Sequence, residues 1–89
     1  MFTRKTIIRN QKGLHARAAA KLVETASQFK ANIEIERNDT KVSAISIMGL
    51  LTLAASKGTE VTLHAEGVEA KEAVYALIKL IDDKFDEVQ

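Results

Sequence analysis

The residues of this 89-residue chain best suited to chemistry lie together, in Lys12-Gly13-Leu14-His15-Ala16-Arg17-Ala18-Ala19-Ala20. A histidine follows a glycine turn and precedes a run of strong helix formers, which places His15 at or just before a helix N-terminus. The backbone N–H groups of Ala16, Arg17 and Ala18 then have no intrahelical acceptor and face outward as an anion site, aided by the helix dipole. A cation is disfavoured at that end, which leaves the His15 ring nitrogen suited to nucleophilic attack. Arg17 is therefore out of place electrostatically unless an anion visits, and its guanidinium can hold a phosphate bidentately. Together these residues can take a phosphoryl group on His15 and pass it on, with helix amides and Arg17 steadying the charge. No second histidine, serine triad or acid cluster accompanies them to complete a hydrolase, which suits a carrier. Taken singly, an exposed histidine or arginine is ordinary, and spacing alone carries the reading no further.

Positioning that stretch requires flanking elements. Phe2, Thr6 and Ile8 alternate as a first strand, with Arg4 the polar exception on its inner face. Ile33 and Ile35 alternate with Glu34 and Glu36, and Val61, Leu63 and Ala65 alternate with Thr62, His64 and Glu66. Such alternation gives a sheet with one buried and one wet face. Asn38-Asp39 is a tight-turn pair joining Ile33–Arg37 to a short partner strand, Thr40–Ala44. Ala19, Leu22, Val23, Ala26 and Phe29 recur at helical spacing, as do Ala70, Ala73, Val74, Leu77, Ile78, Ile81 and Phe85. Between them Ser46 reads as the N-cap of a short apolar helix, Ile47–Ala55, leaving at Gly58. The order βαββαβα predicts an α+β fold, helices on one face of a four-stranded antiparallel sheet, as a single domain over residues 1–89.

Composition narrows the function classes. There is no proline, cysteine or tryptophan, so disulfides, thiolate nucleophiles and cysteine-based zinc sites are excluded. A chain this small supports one two-layer core, burying about 64% of its unfolded surface. No signal peptide or membrane-length apolar run stands out, and the expected compartment is the cytoplasm. The formal charge of +1 conceals a separation: Arg4, Lys5, Arg9, Lys12, Arg17 and Lys21 fall in the first 21 residues with no acid among them. The partner or ligand there should be anionic. Nucleic acid is disfavoured by a pI near 8.0 and only four aromatics, Phe2, Phe29, Tyr75 and Phe85. His64 falls on the wet face and receives no role. Asp82, Asp83, Asp86 and Glu87 read as a solvated helix end, with no motif for a metal and no cofactor implied.

Gly13-Leu14-His15-Ala16-Arg17 resembles the signature of the histidine-containing phosphocarrier (HPr) family of the phosphoenolpyruvate-dependent phosphotransferase system. The similarity extends to Ser46-Ile47-Met48-Gly49-Leu50, to Ala55-Ser56-Lys57-Gly58 and to Ala65-Glu66-Gly67. It implies an open-faced β-sandwich, His15 accepting phosphate at Nδ1 from enzyme I and delivering it to an enzyme IIA domain, and Arg17 as the phosphate's electrostatic partner. Ser46 resembles the site modified by an HPr kinase/phosphorylase, while its structural reading as an N-cap is complete without that role. Ala16, Arg17, Lys21, Ile47, Met48 and Leu51 are the expected docking residues, the last three forming an exposed apolar patch. The chain departs from the family at Ala18, where proline is usual. A monomeric phosphoryl carrier, not a turnover enzyme, is the leading expectation. A regulatory carrier of the nitrogen-related branch is its nearest rival, and a small RNA-binding module a remote one.

Overall fold

A computed structural model describes residues 1–87. Four strands and three helices follow in the order β1 (Phe2–Ile7), α1 (Ala16–Ala26), β2 (Asn32–Arg37), β3 (Thr40–Ser43), α2 (Ile47–Thr52), β4 (Glu60–Glu66) and α3 (Ala70–Asp82). The strands form one antiparallel sheet in the order β1-β4-β2-β3. The hairpin turn between β2 and β3 places Asn38 and Asp39 at φ of 49° and 64°, the left-handed pair that matches strand twist.

The alternation read from the sequence sets which sheet face the helices cover. Ile33, Ile35, Val61, Leu63 and Ala65 point inward and meet Leu22 of α1, Leu50 of α2 and Val74, Leu77 and Ile81 of α3 in one buried cluster. The opposite face carries Thr3, Glu34, Glu36, Thr62 and His64 and stays open. All four aromatics serve the helix side or its edge. Phe85 and Phe29 pack on the core, and Phe2 meets Tyr75 edge-on with ring centroids 5.5 Å apart. Arg4, the odd polar residue of β1, lies over the Phe2 ring at 4.2 Å, so its charge sits on an aromatic face instead of entering the core.

All three helices end earlier than the sequence expectation, while strand ends differ by a single residue. Helix α1 starts at Ala16 and ends at Ala26, so Phe29 packs from a following turn. Helix α2 stops at Thr52, and its exit is Ala54 in the left-handed region (φ 51°), not Gly58. Gly58 instead makes a turn whose N–H donates to Ile8 O at 2.8 Å, while Ile8 N–H donates to Thr59 O at 2.9 Å, extending β1 towards the site. Helix α3 ends at Asp82, and Phe85 reaches the core from a separate turn, Lys84–Asp86. Those three consecutive residues have φ of 58°, 54° and 59°. Left-handed backbone costs an L-residue roughly 1–2 kcal/mol, and full burial of Phe85, worth about 1.5–3 kcal/mol, offsets part of the total.

Candidate functional site

The site is built on the loop from Ile8 to His15. Asn10 is fully buried, and its Nδ2 donates to Gly13 O at 2.7 Å, folding the loop on itself. The same carbonyl accepts from the His15 N–H at 2.9 Å and lies 3.1 Å from His15 Nδ1. Gly13 has φ of 66°, and a Cβ there would stand 2.6 Å from Ala55 O. Only glycine permits this approach, which Leu14 N–H completes by donating to Ala55 O at 2.8 Å. Leu14 itself is buried, so the chain is anchored immediately before the histidine.

His15 is the N-cap of α1, in extended backbone, and makes no side-chain cap bond. The first helical bond runs from Ala19 N–H to His15 O at 2.8 Å. The N–H groups of Ala16, Arg17 and Ala18 thus precede the ladder, and no acidic residue occupies the first turn. Ala16 and Arg17 are exposed, while Ala18 is buried against the core and offers only its N–H. A cavity beside the ring is lined by Gln11, Lys12, His15, Arg17, Lys21, Asp86 and Glu87. The hollow thus brings His15 and Arg17 together, with Lys12 and Lys21 and the carboxylates of Asp86 and Glu87 also on its wall.

Several expectations change here. The acidic end is not simply solvated: Asp82 Oδ1 accepts from Arg9 Nε at 3.0 Å, and Asp83 Oδ2 accepts from Lys79 Nζ at 2.8 Å. The Lys79 ammonium is raised above its ordinary value by the hydrogen bond and charge of Asp83. Glu87 turns back onto the histidine, its Oε2 2.9 Å from His15 Nε2 and its Oε1 accepting from Asn10 Nδ2 at 3.0 Å. Spacing gave no sign of this. The available signal was Asn10, a polar residue between a strand and a glycine turn that had to find buried partners. Lys21 donates to Phe85 O at 2.7 Å, so it braces the C-terminal turn and is not a free docking charge. His64 does lie on the wet face, yet its Nε2 is 2.7 Å from Glu36 Oε1, and the ring is mostly covered.

Ser46 caps α2 as expected, its Oγ accepting from Gly49 N–H at 3.0 Å. Met48 is 73% exposed and Ile47 39%, but Leu51 is partly buried and packs on the core. The third member of the exposed apolar patch is Ile45, 62% exposed, which the sequence reading missed because it precedes the helical pattern.

Comparison with known proteins identifies the family and the fold. Residues 2–83 match the family described as PTS HPr component phosphorylation site. The chain is 46% identical over 87 residues to the phosphocarrier protein HPr of Neisseria meningitidis, covering 98% of each. It is also 46% identical over 84 residues to the phosphocarrier protein NPr of Shewanella violacea, covering 94% of this chain and 92% of that one. Among solved structures, HPr-C-His from Thermoanaerobacter tengcongensis superposes with a TM-score of 0.95 at 46% identity, covering all of both chains.

Proposed function

The chain belongs to the HPr family of phosphotransferase-system phosphocarriers, and from that membership we propose that His15 is its phosphoryl acceptor and Arg17 the residue that steadies the phosphate. A ring nitrogen attacks phosphorus on phosphorylated enzyme I; the new N–P bond forms as the bond to the donor breaks, and the donor keeps that electron pair. Following the family resemblance, the attacking atom is Nδ1, which must first give up its contact with the Gly13 carbonyl and turn its lone pair to phosphorus. Delivery to an enzyme IIA domain reverses the same step. The observation that carries the reading is His15 as a helix N-cap whose side chain leaves the cap unmade. The ring and the N–H groups of Ala16, Arg17 and Ala18 can then address one anion.

Docking falls to Ala16 and Arg17 with the apolar side chains Ile45, Ile47 and Met48. A basic and apolar face of this kind fits an acidic partner surface with apolar pockets. Ser46 is the regulatory position: a phosphate on its Oγ would sit at the start of α2 among these docking residues and repel an acidic partner. An HPr kinase/phosphorylase is the enzyme class that would place it there. We place the carrier in the cytoplasm, where phosphoenolpyruvate and enzyme I meet; no described helix is long and apolar enough to cross a membrane.

A regulatory, nitrogen-related carrier is a second reading, favoured by the similarity to an NPr. Phosphotransfer from the labelled chain to a panel of purified enzyme IIA domains separates the two. Rapid transfer to a sugar-type domain supports uptake, and transfer only to a nitrogen-type domain supports regulation.

A further inference from the structure

Asn10 is a residue for which the stability of the fold does not account. It is fully buried in the loop that leads to His15, a place where an apolar side chain is the ordinary choice. Two acceptors set the orientation of its amide: Nδ2 donates to Gly13 O at 2.7 Å and to Glu87 Oε1 at 3.0 Å. The other end of the amide, Oδ1, is then buried with no donor among the described residues. A buried polar atom left unmatched is unfavourable, so its retention points to a use other than stability.

That use lies on the Gly13 carbonyl. Besides Asn10, the His15 N–H reaches this oxygen at 2.9 Å and His15 Nδ1 lies 3.1 Å from it. A carbonyl oxygen has two lone pairs, and the two shorter contacts, from Asn10 and the His15 N–H, fill them. Nδ1 is left with the longest and weakest of the three. A carbonyl only accepts, so Nδ1 must carry a proton to bind there, and the same nitrogen must shed that proton to attack phosphorus. We infer that Asn10 is a positioning residue for phosphoryl transfer: it saturates the Gly13 carbonyl and so keeps His15 Nδ1 loosely engaged and free to release. The inference rests on His15 as the acceptor through Nδ1 and adds the residue that readies it. For attack, the Nδ1 proton leaves through water and a proton is taken up at Nε2. Nδ1 then carries the lone pair that forms the N–P bond as the donor's bond breaks. Without Asn10, a freed lone pair of the carbonyl holds Nδ1–H more tightly, and the tautomer able to attack becomes rarer.

Asn10→Ala tests this, with phosphoryl incorporation from enzyme I and phosphoenolpyruvate followed by intact mass on the full chain. The variant should lose about two- to ten-fold in kcat, the bias of one net hydrogen bond. KM should be unchanged, because Asn10 is fully buried and reaches no docking surface. In the unphosphorylated variant, the His15 ring 15N signals should move towards the Nδ1–H tautomer, a change that a loss of stability alone does not produce. In the wild type, where folding is not at issue, the Asn10 side-chain amide protons should move downfield on phosphorylation. Nδ1 has then left the carbonyl, and the bond from Asn10 tightens. An unchanged kcat, a change in KM alone, or ring signals that ignore the substitution would overturn the inference. Wild-type amide protons that stay in place or become freely exchanging on phosphorylation overturn it too. Wild-type chain that takes no phosphate from active enzyme I defeats the acceptor reading and this inference together. Normal wild-type labelling with full kcat in Asn10→Ala defeats the role of Asn10 alone.

Discussion

At the residue scale, the position that departs from the family pattern has a definite physical consequence. Ala18 is buried, and its N–H precedes the first intrahelical bond of α1. Proline there removes no ladder bond and narrows the unfolded ensemble. Ala18→Pro should therefore stabilise the chain by about 0.4–1 kcal/mol, read from the urea midpoint; a loss would mean that the buried ring does not fit. Arg17 is exposed and makes no hydrogen bond or ion pair among the described residues. Arg17→Ala should leave the urea midpoint unchanged and lower phosphotransfer kcat/KM by roughly ten-fold or more, since a charge-assisted bond contributes about 1.5–3 kcal/mol. Arg17→Lys should recover only part of the loss, because the bidentate fork is gone. Equal activity in Arg17→Ala would remove Arg17 from the mechanism.

At the element scale, the loop into α1 and the cap of α2 do the positioning. Gly13→Ala forces a left-handed alanine and drives a Cβ against the Ala55 backbone, so a loss of more than about 2 kcal/mol is expected. Because the Gly13 carbonyl accepts from the His15 N–H and lies 3.1 Å from its Nδ1, phosphotransfer should fall as well, under conditions where the variant remains folded. Ser46→Ala removes the bond from Gly49 N–H and should cost about 0.5–2 kcal/mol without impairing phosphorylation of His15. Strands, hairpin turn, Ser46 cap and the N-terminal seat of His15 were all legible, because each follows from a local period or a turn residue. The exit of α2 at Ala54 was not, since an alanine in the left-handed region leaves no mark in sequence and Gly58 was the better-looking stop. The Lys84–Asp86 turn was hidden for the same reason. It exists because Phe85 is buried, a tertiary effect that no three-residue window contains.

Across the whole molecule, charge is sorted along the chain and the fold gathers it. Lys12, Arg17 and Lys21 come to the hollow by His15, where Asp86 and Glu87 join them, while Glu34, Glu36 and His64 occupy the open sheet face away from the core. Association with an acidic partner should then be steered by long-range attraction. The second-order rate constant for phosphorylation by enzyme I should fall several-fold as salt is raised through the range where the Debye length shrinks from about 10 Å to 3 Å. A salt-independent rate would place the docking energy in Ile45, Ile47 and Met48 alone. Placing a histidine at a helix start on an α+β scaffold was predictable from the whole sequence. That Glu87 reaches His15 was not, because the two lie far apart along the chain and no pattern links them.

The most direct measurement is the mass and acid-lability of the chain after incubation with enzyme I and phosphoenolpyruvate, for wild type beside His15→Ala. One phosphoryl group, lost in mild acid and absent from His15→Ala, is the predicted result. A phosphoryl group on His15→Ala, or one in the wild type that survives acid, would contradict the assignment of His15 as the carrier residue.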